Sequence, residues 1–419
     1  MAGRPRARSR LLVLGAGPAQ LGLLEAARAR GDLDVIAVDR DPQAVGFSLA
    51  DERAVLSTED EEAVERLARA REVDGIVSPG ADWPVGVAAR VASRLGLAHP
   101  IDARVGGIAT SKLRQREAFA AAGVPHARAL APEDVDLPLP CVVKSADRQG
   151  QRGLTLVRRR EELRAALEEA AAESRGGGLL VEEHVEGPEV TVNAFSVRGD
   201  FRPLTVTDRL TAAPPAFGVA LAHVWPSLHE VGPAVAAARA AVEAVGILDG
   251  PSYTQVRLGP NGPVVMEVAA RLGGGHDAEL CTAATGVDLN SLAVAAALGE
   301  GGARGLTPAG GPTPVRPARG GPSLKSDPLG VGLLGAAVVF LVPPVGRLVD
   351  VEGIDEAEAL PGIGWVRSYR RPGHVFGPLR RGADRAGAVL ATGADREEAL
   401  DRARRAADAV RFRIDADAP

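Results

Sequence analysis

PSYTQVRLGPNGPVVMEVAARLGGG, residues 251–275, decides how the rest of the chain is read. Alternation from Tyr253 to Leu258, a Gly259-Pro260-Asn261-Gly262 turn and a mostly apolar return from Pro263 to Val268 predict a β-hairpin. Gln255 and Glu267 fall roughly opposite one another across the turn, at an even separation that predicts side chains on one face of the paired strands. A carboxylate and an amide then face a common ligand. Arg271 follows Glu267 by four residues, and Gly273, Gly274 and Gly275 let backbone N–H groups approach an anion closely. An acid, a cation and an anion nest together describe a metal–nucleotide site. A surface hairpin with a solvated Glu carries the same short pattern, so the choice depends on what lies upstream.

Composition narrows the field. The 419 residues suffice for roughly two to four domains, and 46% hydrophobic content supplies buried cores. No apolar run approaches the roughly 18 residues that span a bilayer. Arg4, Arg6, Arg8 and Arg10 precede only the short run Leu11 to Leu14, which predicts a ragged tail and not an export signal. Cys141 and Cys281 are too few for a disulfide framework or a thiolate cluster, and they fit a reducing cytoplasm. A net charge of −5, 3% aromatics and no basic stripe argue against nucleic acid. Of 49 basic residues only Lys112, Lys144 and Lys325 are lysines. In a chain that uses Arg as its generic cation, a retained Lys points to a specific need, such as a compact ammonium against phosphate.

In chain order, strand Arg10 to Leu14, turn Gly15 to Pro18, helix Ala19 to Arg30 and strand Val35 to Val38 ending at Asp39 imitate a dinucleotide fingerprint. Pro18 inside the turn and Leu21 near the third glycine position weaken the match. Further alternation, helix 61–70, strand 75–78 and helix 84–95, makes residues 1–105 a doubly wound α/β domain. SKLRQREAFAAAGVP, residues 111–125, is a helix capped by Ser111 and ended by Gly123. Lys112 at its N-terminus opposes the helix dipole by about 0.3–1 kcal/mol, which an external anion rationalises. Strand Pro140 to Lys144, the loop Arg148 to Gly153 with Gln149 and Gly150, and strand Leu154 to Val157 form either an ordinary hairpin or a phosphate-covering lid; a P-loop would need a helix after its glycines. After helix 160–172, the stretch from Leu179 to Val197 can hold a purine. Backbone around Glu183 to Val185 suits the adenine edge, and Glu182 or Glu189 can accept bonds from an amine or from ribose hydroxyls.

This order of parts resembles the ATP-grasp superfamily over residues 10–300, and within it the carboxylate–amine ligases that include bacterial L-amino-acid ligases. SKLRQREAFAAAGVP, PCVVKSADRQGQRG, VEEHVEGPE and TQVRLGPNGPVVMEVAARLGGG carry the resemblance. It implies ATP together with Mg2+, or Mn2+ in its place. It implies phosphate contacts from Lys112 and Lys144, a lid at Gln149 to Gly153, adenine contacts from Glu182 to Val185 and ribose contact from Glu189. Glu267, with Gln255, would hold the metal. Arg271 would face an acyl-phosphate, and Gly273, Gly274 and His223 would lie toward the substrate, His223 at the end of the stretch Thr205 to Ser227. The chain departs from the family pattern at Gln255, where a second carboxylate is usual, and at Ala269, where many members have Asn. An amide oxygen can ligate magnesium but adds no charge against a triphosphate.

Residues 301–328 form a Gly/Pro-rich linker containing Lys325. Strands 335–342, 366–369 and 386–392, helix 396–410 with Ala399, Ala403, Ala406 and Ala407 on one side, and strand 411–414 make residues 329–419 a small α+β domain. The expected architecture is an N-terminal doubly wound α/β domain, an ATP-grasp domain over 106–300 with its lid at about 140–205, and this C-terminal domain. The expected activity is ATP-dependent joining of a small-molecule carboxylate and an amine through an acyl-phosphate, with Lys144, Arg271 and the metal at Glu267 stabilising the transferred phosphoryl group. A homodimer is the expected assembly. A bicarbonate-activating carboxylase, and a catalytically weak nucleotide-binding protein limited by Gln255, are the alternatives.

Overall fold

A computed structural model of the chain describes residues 8–134, 136–301 and 335–415. From residue 302 the expected linker, with Lys325, lies outside the described residues. The first apolar runs become a parallel sheet in the order β3-β2-β1-β4, formed by β1 (Ser9–Leu14), β2 (Leu33–Asp39), β3 (Glu52–Val55) and β4 (Gly75–Val77). Helix α1 (Leu21–Ala29) covers one face through Leu23 and Leu24, joined by α9 (Leu289–Ala297) from far along the chain. Helices α2 (Glu61–Ala70) and α3 (Asp82–Leu95) cover the other through Val64, Val87 and Val91. Burial on both faces is why these strands read as continuous apolar runs. The glycine turn after β1 closes on itself. Asp39 accepts hydrogen bonds from Ala16 N at 2.9 Å and Asp41 N at 3.0 Å, and the Gln20 side chain lies over Gly15, beside a cavity of about 220 Å³ that Gly15, Gln20 and Asp39 line.

Helices α4 (Ala103–Ala109) and α5 (Lys112–Ala122) lead into the centre of the molecule. Ser111 Oγ accepts from Arg114 N at 3.4 Å, and Gly123, at φ +68°, ends α5. A small antiparallel sheet follows, β6 (Leu154–Val157), β5 (Cys141–Ser145) and β7 (Leu179–Glu183) in that order. It is backed by α6 (Leu163–Glu173) over a core that includes Cys141, Val143 and Val157.

The large sheet contains β12 (Gly262–Ala269), β11 (Gly250–Gly259), β8 (Glu189–Val197), β9 (Asp200–Thr211) and β10 (Ala220–Trp225), neighbours in that order. Helix α7 (Gly232–Val245) buries Ala234, Ala238, Ala241 and Val245 against it, and α8 (Asp277–Thr285) follows the hairpin. The sheet does not stop at β10. It continues through β13 (Gly335–Leu341), β17 (Gly387–Gly393) and β15 (Ile363–Ser368), with His223 of β10 opposite Val338 of β13. Pairing β13 onto β10 removes an exposed edge that would carry unpaired backbone groups. The remaining C-terminal strands, β14 (Gly346–Glu352), β16 (Val375–Phe376) and β18 (Arg411–Asp415), form a three-stranded sheet, with the short helix α10 (Ile354–Glu358) after β14. Helix α11 (Arg396–Ala409) packs Ala399, Ala403 and Ala406 into the core between itself and the large sheet. Among the described residues no single helix is long and apolar enough to cross a membrane.

Candidate active site

The hairpin β11–β12 positions the two polar residues through a bulge. Gly259 pairs with Gly262 and Val256 with Val265, a register in which Gln255 would meet Met266. The register shifts between Gln255 and Val256, leaving Met266 as the extra residue and setting Gln255 directly opposite Glu267. Without that bulge Glu267 would share a face with Thr254. Gln255 Nε2 donates to Glu267 Oε1 at 3.2 Å and to the Tyr253 hydroxyl at 3.4 Å. Helix α5 holds the bulge in place. Arg116 donates Nη2 to Met266 O at 2.7 Å, while the Gln115 amide accepts from Val268 N and donates to Val268 O, both at 3.0 Å.

Charge gathers around Glu267. Lys112 Nζ lies 3.4 Å from its carboxylate. Burial alone would raise the Glu267 carboxyl, but Lys112, Arg271 and Lys144 outweigh it and hold it below the usual carboxylate range. Lys144 contacts Glu182, which also meets Arg116 in a buried triad. Burial, with Arg116 and Lys112 nearby, keeps the Lys144 ammonium below the usual lysine range against the pull of Glu182. Arg271 is buried and directed by three contacts: Nε to Asp82 Oδ1 at 2.6 Å, Nη1 to Leu272 O at 2.7 Å, and its guanidinium over the Tyr253 ring at 5.7 Å. Asp82 belongs to α3, so the N-terminal sheet domain fixes a residue of the central site.

Two cavities meet at the hairpin. A cleft of about 80 Å³ lies between the small and large sheets, lined by apolar Val142, Val185, Phe217 and Met266 and by charged Lys112, Lys144, Arg148 and Arg152. A larger cavity of about 340 Å³ is walled by the N-terminal turn at Pro18 to Gln20, by Arg271, Gly274 and Gly275, by His223 and His276, and by Tyr369, Arg370 and Arg385 of the C-terminal segment. Gln255, Glu267, Arg209 and the loop Gln149 to Arg152 line both. That loop lies across the junction: Lys112 Nζ donates to Arg148 O, Gln149 accepts from Asp82 N, and Gly150 O accepts from Gly382 N at 3.3 Å. All three segments of the chain therefore meet over the shared wall.

Several expected site residues carry contacts that the sequence does not show. Glu182 does not face the cleft, because its carboxylate is held by Lys144 and Arg116, and Glu183 points to the surface, where Arg128 lies 3.4 Å away. Val185, with His184, does line the cleft. Glu189 lines it too, with its carboxylate already 2.6 Å from Arg209 and 3.4 Å from Arg257. Gly153 is a packing position against α6, where a Cβ would stand 3.1 Å from Ala170 Cα. The glycine nest wraps an anion of its own: Gly275 N donates to Asp277 Oδ2 at 3.2 Å, and a Cβ on Gly273 would collide with the same carboxylate. His223 lines the large cavity 3.5 Å from Asp277, and burial pushes its imidazole down to about 4 despite that neighbour, so it is neutral at neutral pH.

Other lining residues escaped the sequence reading. His276 sits at φ +60°, its Nδ1 2.9 Å from Glu279 and its Nε2 2.5 Å from the Tyr369 hydroxyl. Arg367, 2.8 Å from Glu279, completes that chain. Burial would raise the Glu279 carboxyl, yet His276 and Arg367 bring it to about 2. Arg116 stands inside the quoted helix motif, and its three-residue spacing from Phe119, both on the buried face of α5, was the available signal.

Known proteins can now be set beside this geometry. One family model, described as an ATP-grasp domain, matches residues 137–279, and another, L-amino acid ligase C-terminal domain 2, matches residues 339–415. The chain carries an ATP-grasp domain followed by an L-amino acid ligase C-terminal domain. A formate-dependent phosphoribosylglycinamide formyltransferase of Burkholderia vietnamiensis is 28% identical over 96% of this chain and 95% of its own. An uncharacterized protein, y4rH, of Sinorhizobium fredii is 28% identical over 73% of the chain, which spans 61% of that relative's length. The crystal structure of L-amino acid ligase from Bacillus licheniformis shares the fold, with a TM-score of 0.79 at 20% identity over 98% of this chain and 100% of that one. The donor set at the hairpin also fits the magnesium that an ATP-grasp domain implies. Among the described residues no three His, Cys, Asp or Glu side chains form a metal cage. One ionised carboxylate, Glu267, with the neighbouring Gln255 amide, suits an ion whose other ligands are phosphate oxygens and water.

Proposed function

We propose that this ATP-grasp protein joins a carboxylate to an amine, one of them from an amino acid, with conversion of ATP to ADP and phosphate. One observation carries the reading. Glu267 and Gln255 stand in the wall common to both cavities, beside Lys112, where a nucleotide in the smaller cleft and a carboxylate in the larger cavity would meet. The apolar lining of the cleft suits a base and its cationic lining suits phosphates. The closed loop at Gln149 to Arg152 must lift to admit a nucleotide, since about 80 Å³ is less than the roughly 300 Å³ at which ligand pockets begin.

In the proposed reaction a substrate carboxylate oxygen attacks the γ-phosphorus and ADP departs, leaving an acyl-phosphate. The amine then attacks the carbonyl carbon, a proton is lost, and phosphate leaves as the amide forms. Magnesium, when bound at Glu267 and the Gln255 oxygen, supplies neutralisation of phosphate charge. Lys112 and Lys144 add fixed positive charge on the nucleotide side, and Arg271, held by Asp82, adds it on the substrate side. No side chain needs to form a covalent bond. Positioning and electrostatics carry the rate.

Hydroxylamine tests this directly, because it intercepts an acyl-phosphate without the natural amine. Enzyme, magnesium, ATP and hydroxylamine with a panel of amino acids and other carboxylates should give hydroxamate and ADP together. Glu267→Gln should lower that turnover on the order of 10²–10³-fold, the usual cost of losing a key electrostatic group. Unchanged turnover in this variant would overturn the site assignment. ATP turnover that depends on bicarbonate, with no hydroxamate, would support the carboxylase instead.

A further inference from the structure

The large cavity holds more positive charge than phosphoryl transfer uses. Six charged side chains line it: Arg152, Arg209, Glu267, Arg271, Arg370 and Arg385. Three are already neutralised, Arg209 by Glu189 at 2.6 Å, Arg271 by Asp82 at 2.6 Å, and Glu267 by Lys112 at 3.4 Å. Arg152 also lines the smaller cleft, within reach of nucleotide phosphates. Arg370 and Arg385 remain. Neither lines the smaller cleft, and among the described residues neither has a carboxylate within 4.0 Å.

Their contacts orient them without cancelling their charge. Arg370 donates Nη2 to Ala383 O at 2.7 Å, and its Nε is buried with no hydrogen-bond partner. Arg385 donates Nε to Gly382 O at 2.7 Å and Nη1 to Ala220 O at 3.2 Å, and lies over the Phe340 ring at 3.6 Å. Burial holds both guanidiniums below the usual arginine range, Arg385 at about 10, with Asp41 and Asp384 acting on Arg370 only at longer range. Two half-buried cations that line one cavity without counter-ions are stabilised by a ligand that completes them. The ligand that does so is an anion entering the large cavity.

We propose that Arg370 and Arg385 form a second anion-binding subsite, which takes a carboxylate or phosphate group of a substrate other than the carboxylate that is activated. The C-terminal domain thereby selects substrates with an extra acidic group. This rests on the reading above for which cleft holds the nucleotide, and the test separates the two.

Calorimetric titration of the full chain with Mg-ADP, and then with inorganic phosphate or acetate on the Mg-ADP complex, provides that test. Mg-ADP fills the nucleotide cleft, so the added anion reports the large cavity. At least one probe should bind, and Arg385→Gln and Arg370→Gln should each weaken it by about tenfold or more, with Mg-ADP affinity unchanged as the sign of an intact fold. A larger loss of phosphate affinity in the variants marks the group as a phosphate ester, and a larger loss of acetate affinity marks it as a carboxylate. Equal affinity in wild type and both variants, or no binding of either probe to the wild type, overturns the subsite. If Mg-ADP itself does not bind, the nucleotide reading fails, and the same anion titrations without it still decide the subsite by the same comparison.

Discussion

In the proposed reaction the hold on the metal turns on Gln255, and Met266 is the residue that makes its position matter. Because the bulge places Glu267 directly opposite, a carboxylate at 255 would lie within cross-strand contact of a second buried carboxylate. Gln255→Glu should therefore act in two directions. Without metal, like charges in this buried wall should lower stability by about 1 kcal/mol or more and lift the Glu267 carboxyl toward its ordinary range. With Mg-nucleotide the second acid should tighten the ion, lowering the magnesium concentration for half-maximal turnover several-fold. Thermal unfolding with and without Mg-ADP checks the first effect, and a magnesium titration of hydroxamate formation checks the second. A variant that gains nothing from magnesium would place the ion away from this pair. The pairing itself was only half legible. Across the two-residue turn the even spacing gives one shared face only through a bulge, and nothing about Met266 announces one. Arg370 and Arg385 were hidden for a different reason: with 49 basic residues of which three are lysines, no single arginine stands out.

At the scale of elements, periodicity served where one face is buried and one is not. Helix α2 at Glu61–Ala70 and strand β6 at Leu154–Val157 begin and end where the sequence pattern does. Strand β9, with Pro203 inside it and polar residues at Arg202, Asp208 and Arg209, hides in the same pattern, since its neighbours on both sides and its ion pairs make it a strand. The small sheet follows its sequence pattern of strand, loop, strand, but the partners of Glu182 were not legible, because the triad with Lys144 and Arg116 joins β5, β7 and α5 across long separations. That triad is structural as well as electrostatic: Arg116 also grips the bulge through Met266 O. Removing the shared acid leaves two buried cations with no partner. Glu182→Gln should cost about 3–5 kcal/mol, seen as a lower denaturant midpoint at an unchanged slope. A loss below about 1 kcal/mol would mean that Lys144 sheds its proton or reaches solvent when its partner is removed, and the triad would not then hold the small sheet to the hairpin.

At the scale of the whole molecule, the C-terminal segment is bound into the central sheet and not merely set against it. β13 continues the hydrogen-bond ladder of β10, so the strand that carries His223 into the cavity has partners on both sides only when residues 335–415 are in place. The clamp between the two is Arg396 of α11. It lies 2.8 Å from Asp208 of β9, and it donates to Pro226 O at 2.8 Å and Val224 O at 3.3 Å. Arg396 and Asp208 are both buried. Arg396→Met keeps much of the side-chain volume but leaves Asp208 buried beside only Ser227 and the Leu228 N–H, 3.1 Å away, an uncompensated charge that should cost about 3–5 kcal/mol. If the sheet is one cooperative unit, that loss must fall equally on both sides of the β10–β13 seam. Hydrogen exchange measured by mass spectrometry on peptides from β10 and from β13 should then show protection falling by the same amount in the variant. Loss confined to β13 and β17, with β10 unchanged, would make the C-terminal segment a separately unfolding unit. The anion subsite at Arg370 and Arg385 would then belong to a part that can leave the active site, and the selection it imposes would depend on docking as well as on charge.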